Sequence, residues 1–136
     1  MNTREFLEQL LDKYSALTRT ELSDEMLGPY SKTVLFDAGY KTDTSQIKRN
    51  QAARISHEFL KYTLKEEDVD WNDVRNLKDI YDCKICANPV AQVYEKGIID
   101  SREKDIFGME DILTEIQLST IIERLSKRIS KQDIRQ

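Results

Sequence analysis

"LTEIQLSTIIERL" (residues 113–125) contains its own helix start. Thr114 stands three residues before Gln117, the spacing at which two side chains satisfy each other's free backbone N–H groups. Apolar residues follow at 118, 121, 122 and 125, one face of a helix. "MNTREFLEQLL" (1–11) and "IKRNQAARISHEFL" (47–60) begin in nearly the same way. Three long helices opened by one kind of signal are therefore expected.

Their stripes supply the candidate core. The first has Phe6, Leu7, Leu10, Leu11 and Tyr14; the second Ala52, Ile55, Phe59 and Tyr62, with Leu60 alongside; the third Leu118, Ile121, Ile122, Leu125 and Ile129. Asn2 with Glu5 repeats the capping box of Thr114 with Gln117. Lys48 holds the corresponding place in the middle helix and has no acceptor, so Ser45 or Thr44 is expected to cap that helix a turn earlier. The intervening segments also repeat. "SKTVLFDAGYKTD" (31–43) lies over "PVAQVYEKGIIDS" (89–101), each read as a short helix stopped by a glycine, Gly39 and Gly97. In "DSREKDIFGMEDI" (100–112), Phe107 and Gly108 suggest a turn with the aromatic ring tucked inward.

Composition sets the class. The 136 residues suffice for one domain with a real core, and the few breakers (four Gly, two Pro) suit an all-α chain better than a β-sandwich. A net charge of −4 with interspersed signs argues against nucleic acid as a partner. The basic cluster Lys127, Arg128, Lys131 and Arg135 reads as the solvated end of a last helix. Neither a signal-peptide core nor the ~20 apolar residues of a membrane span is visible, so the expected location is the cytoplasm.

The stretch "ANPVAQVYEKGIIDSREKDIFGMEDILTEIQLSTIIERL" (87–125) resembles an S-layer homology module. Such a module has an aromatic-bearing helix ending in Gly-Ile-Ile, a loop with Phe-Gly or Phe-x-Pro, then Ile/Leu-Thr-Arg-Ala-Glu opening a longer helix. "VDWNDVRNL" (69–77) is similar to the acidic, aromatic stretch that starts one, and "LFDAGY" (35–40) to its first helix. The resemblance implies a single domain over 1–136, with a degenerate unit at 1–62, a better-matching unit at 68–131, and three longer helices forming a central bundle. It also implies grooves that bind anionic, pyruvylated cell-wall polysaccharide. The arginine of Thr-Arg-Ala-Glu would reach the acid beside a helix N-terminus. Arg49 in "IKRNQ" keeps that position, Glu115 replaces it in "LTEIQ", and Thr3 replaces it in "MNTRE", where Arg4 is displaced by one residue.

Other residues that could carry chemistry are few. Cys83 and Cys86 in "CKIC" are half of a zinc site at most, and are expected as reduced thiols at a helix start with one packed inward. A shared zinc or a redox pair is the weak alternative. His57, without a Ser or Cys partner, reads as a surface or groove residue, and Trp71 as a buried anchor among Asp68, Asp70 and Asp73. No glycine-rich phosphate loop or nucleophile elbow appears. The expectation is a non-enzymatic binding module without a cofactor that contacts another protein. Arg49, Gln51, Arg4 and Tyr40 are the candidate contacts, and the cell-wall polysaccharide bound through Arg49 is the alternative.

Overall fold

The computed structural model describes residues 1–30 and 46–129, so Tyr40, Gly39 and the whole 31–43 repeat lie outside the described residues. Within that range the chain is all-α. Five helices, α1 (Thr3–Thr18), α2 (Asp24–Leu27), α3 (Arg49–Glu58), α4 (Lys84–Glu95) and α5 (Glu115–Ser126), are joined by turns and two isolated β-bridges.

The expected caps form. Asn2 Oδ1 accepts from Glu5 N at 2.8 Å, and Glu5 reaches back to Asn2 N at 3.2 Å, which starts α1. Thr114 and Gln117 do the same for α5. The middle helix departs from expectation. It begins at Arg49 with Lys48 as its N-cap, while Ser45 and Thr44, the expected caps, lie outside the described residues. The lysine cannot accept a hydrogen bond, and a tertiary partner does the work instead. The N–H groups of Arg49 and Asn50 donate to the carbonyls of Asp111 (2.8 Å) and Met109 (3.1 Å). Gln51 Oε1 accepts from Lys48 N.

The second stripe also changes course. A π-helical turn, Phe59–Thr63, follows α3 and inserts extra chain per turn. Phe59 and Leu60 stay fully buried, but Tyr62 is rotated outward to 40 % exposure, so it does not belong to the core. The first and third stripes hold: Phe6, Leu7, Leu10, Leu11, Leu118, Ile121, Leu125 and Ile129 are all buried, with Tyr14 and Ile122 partly so. Helix α4 is longer than its glycine-stopped tail suggested. It stops at Glu95, and Gly97 just beyond the cap holds φ +73°, where Gly97 N reaches Tyr94 O and Ile98 N reaches Val93 O.

Helix α1 packs against α3 and α5, and α3 packs along α4. The starts of α1, α3 and α5 gather at one end. The Met1 amino nitrogen lies 2.7 Å from Glu115, and Leu113 N donates to Ile47 O. Their far ends also converge, with Tyr14 edge-on to Phe59 at 6.1 Å and Arg128 forked onto Glu66 at 2.6 and 2.9 Å. The three long helices therefore run parallel. Arg128 is thus a structural partner at this end rather than a merely solvated charge.

Burial pushes the Glu66 carboxyl up, but the hydrogen bonds and charge of Arg128, with Lys96, outweigh it and hold the group below its ordinary value of 4.5. A depressed folded-state value contributes stability above that ordinary value, and the contribution disappears as pH falls through the lowered one. In urea unfolding followed from about pH 6 to about pH 2.5, Glu66→Gln should flatten the acid limb of the stability curve. A second expectation concerns the whole domain. Truncation after Lys61 removes α4 and α5, against which α3 and α1 bury their faces, so fragment 1–61 should show no cooperative thermal transition by circular dichroism.

Candidate functional site

The end where three helix starts meet is built around one turn, Phe107–Gly108. Below it, Asp79 accepts from both amides, Phe107 N at 2.8 Å and Gly108 N at 2.9 Å. Above it, Arg49 Nη1 donates to the carbonyls of the same two residues, at 3.1 and 3.2 Å, and to Asp111 Oδ2 at 2.6 Å. The guanidinium also lies 5.9 Å from the centre of the Phe107 ring, which is fully buried as expected for an inward-tucked aromatic. Gly108 holds φ +85°, and a Cβ there would collide with the Asp111 carboxylate and Arg49 Nη1. Only glycine fits.

Arg49 is thus 6 % exposed, and its Nη1 is engaged by the chain's own acceptors. Gln51, one turn in, is spent on the Lys48 amide. Arg4 stands exposed on the first turn of α1, with no hydrogen bond or ion pair to the described residues. Arg49 and Gln51 share a turn, but the structure does not link Arg4 to them. Asp79 and Asp111 were missed by the sequence reading. The available signal was an acid three residues after a turn glycine, which also describes many solvated loops.

Beside the clamp runs a groove between α5 and the 99–102 segment. Ile99, Leu113, Ile116 and Ile121 form its apolar wall, Arg102 and Arg124 its rim, and Arg49 its inner end. Arg102 pairs with Asp111 at 3.1 Å, and Arg124 with Asp100 at 3.1 Å. Ile116 is 80 % exposed, the most open large apolar side chain among the described residues.

The remaining candidates fall elsewhere. Cys83 and Cys86 are joined as a disulfide, which corrects the expectation of reduced thiols. The N-cap and third residue of α4 lie with Cα atoms 5.1 Å apart, within bridging range. Cys86 packs inward as expected, at 2 % exposure. Sulfurs bonded to each other are not thiolate ligands, and no group of three or more His, Cys, Asp or Glu residues among the described residues could hold a metal ion. His57 is buried rather than on the surface, its Nε2 2.9 Å from Asp68 Oδ1. Asp68 also accepts from Asn88. Burial raises its carboxyl, but the hydrogen bonds from His57 and Asn88 more than offset this and lower it. Trp71 is half-buried, with Nε1 donating to Asn88 Oδ1 at 3.0 Å. Among the described residues no helix is long and apolar enough to cross a membrane.

No protein-family model matches this chain, and no curated protein or solved structure does so at a significant level.

Removing one member of a buried, hydrogen-bonded ion pair costs about 3–5 kcal/mol, because its partners lose their compensation. Asp111 is one-third exposed and keeps Arg102, so Arg49→Ala should lower the unfolding free energy read from urea titration by the low end of that range, about 3 kcal/mol. Arg49→Lys should recover only part of it: an ammonium offers three donors to the same three acceptors, but on a shorter stem and without the guanidinium's contact with the Phe107 ring.

Proposed function

We propose that this chain is a non-enzymatic protein-binding module on a helical fold resembling the S-layer homology type, using no cofactor and working in the cytoplasm without nucleic acid or membrane as partner. One observation carries the reading: Ile116, 80 % exposed, stands on the wall of a groove rimmed by Arg102 and Arg124. An isoleucine held in water at the first turn of a well-capped helix gains nothing for the fold. Placed against a partner, it buries apolar area worth about 1.5–3 kcal/mol. The flanking guanidiniums suit a partner segment that carries a carboxylate next to its apolar anchor. Arg124 faces Asp100, which is 78 % exposed and outside the Arg49 clamp, so a partner carboxylate can take its place.

The resemblance would instead suggest anionic cell-wall polysaccharide held through Arg49. For that ligand, the first two amides of α3 already donate to Asp111 and Met109, and Arg49 Nη1 already holds Asp111. An acidic sugar would have to displace the chain's own carboxylate. The cytoplasmic placement must also accommodate the Cys83–Cys86 disulfide, since reducing compartments keep most thiols reduced.

Titration of the folded protein with acidic amphipathic peptides, followed by amide chemical shifts, should give saturable changes at Ile116, Arg102 and Arg124. Ile116→Glu and Arg124→Glu should each weaken binding at least tenfold. Cosedimentation with pyruvylated cell walls, beside de-pyruvylated ones, is the companion measurement. Sedimentation that needs the pyruvyl group, with no response to any peptide, would replace the protein partner by the polysaccharide.

A further inference from the structure

A second surface, where the 68–72 segment lies along α4, has a different chemistry. The 68–72 segment is pinned to α4 by side chains one and two turns apart. Buried Gln92 clasps the Val69 backbone from both sides, with its Nε2 2.9 Å from Val69 O and its Oε1 2.7 Å from Val69 N. Asn88 accepts from the Trp71 indole, and Glu95 accepts from Asn72 N. Asn88 Oδ1 is itself steadied by Gln92 Nε2 at 3.1 Å. These polar contacts tie the segment to α4.

The held segment presents apolar surface to water. The rings of Trp71 and Tyr81 lie 6.0 Å apart at 34°, and line one cleft with Val69, Asp70, Asn72 and Arg75. Tyr81 is 70 % exposed and Val69 44 %, while Ile85, one turn before Asn88 on α4, is 69 % exposed. The surrounding charge has one dominant sign. Residues 66–82 carry seven carboxylates against two cations. Glu66, Asp68 and Asp79 are spent on Arg128, His57 and the Phe107–Gly108 amides. Exposed Asp70, Asp73 and Asp82 have no ion-pair partner among the described residues.

From this juxtaposition of a half-buried tryptophan, an exposed tyrosine beside it and the aspartates at Asp70, Asp73 and Asp82, we infer that the Trp71–Tyr81 cleft docks a basic segment of a partner protein. One of its Lys or Arg side chains lies over the rings while a neighbouring apolar residue covers Val69 and Ile85. A cation over an aromatic face is attracted by the ring quadrupole, and flanking carboxylates strengthen that attraction. The fixed cleft spares the binding event the cost of ordering it. Arg75, also in the lining, sets the polarity of the site by repelling a cation from its own side. This surface is independent of the groove at Ile116.

Trp71 is the chain's single tryptophan, so its emission reports on the cleft directly. A short lysine–leucine peptide added to the intact, oxidised protein should change that emission saturably. Binding should weaken at least tenfold in Asp70→Asn/Asp73→Asn and in Tyr81→Ala, and fall steeply with salt. A glutamate–leucine peptide of equal length should leave the Trp71 emission unchanged, even where it binds the Ile116 groove. The inference is overturned by no saturable response to the lysine peptide, by an equal response to the glutamate peptide, or by undiminished affinity in the double variant. Emission that shifts with protein concentration and ignores the peptide would mean that the face pairs with a second copy, and would likewise overturn it. Ile116→Glu should leave lysine-peptide binding unchanged, so loss of this site and loss of the groove can be told apart.

Discussion

The Phe107–Gly108 turn, held from below by the Asp79 carboxylate and from above by the Arg49 guanidinium, is the constraint on which the rest of the structure depends. It pins the long loop after α4 to the start of α3, and the same loop supplies the carbonyls that cap α3 and the residues that lead into α5. Two residues thus have both their backbone donors and their backbone acceptors engaged by charged side chains. In a buried setting such contacts are stronger than neutral ones and costly to leave half made. Gly108 is the sterically necessary element, because any side chain there would occupy the space of the ion pair.

Much of the fold was legible in the sequence because the signals were local. The capping boxes of α1 and α5, the stripes of Phe6 to Leu11 and Leu118 to Ile129, and the glycine that ends α4 each need only a few neighbouring residues to be read. What failed to show was set by distant residues. Nothing near Lys48 says that Asp111 and Met109 will satisfy the amides of α3 from more than 50 positions away. Nothing in "HEFLKYT" announces a π-helical turn that swings Tyr62 out of the core. His57 looked exposed for the same reason: Asp68, which receives it, follows a break in the helix that the apolar pattern does not mark.

The candidate site was less legible than the fold. Arg49 stood out on resemblance, yet the structure gives it a role inside the protein's framework, and the atoms that define that role belong to Phe107, Gly108 and Asp111. The exposed surfaces were harder still to foresee. Ile116 sits on the same helix as the core residues Leu118, Ile121 and Leu125 and differs from them by its phase around the axis. Tyr81 and Trp71 are ten residues apart and become neighbours through the 3₁₀ turn at Asp73–Asn76 and the polar clasp of α4.

The pairing of α1 with α5 bears on how the chain is made. Glu115 lies 114 residues beyond the Met1 amine that it meets. At synthesis rates of ~5–20 residues per second, that interval lasts on the order of 10 s. Throughout it, the first helix cannot fully cover Phe6, Leu7, Leu10 and Leu11, since one of its two partners has not yet been translated. An all-α protein made of local helices would ordinarily fold early and quickly. Docking α1 onto α5 is a non-local contact in this helical fold, and non-local contacts carry the larger entropic cost of loop closure.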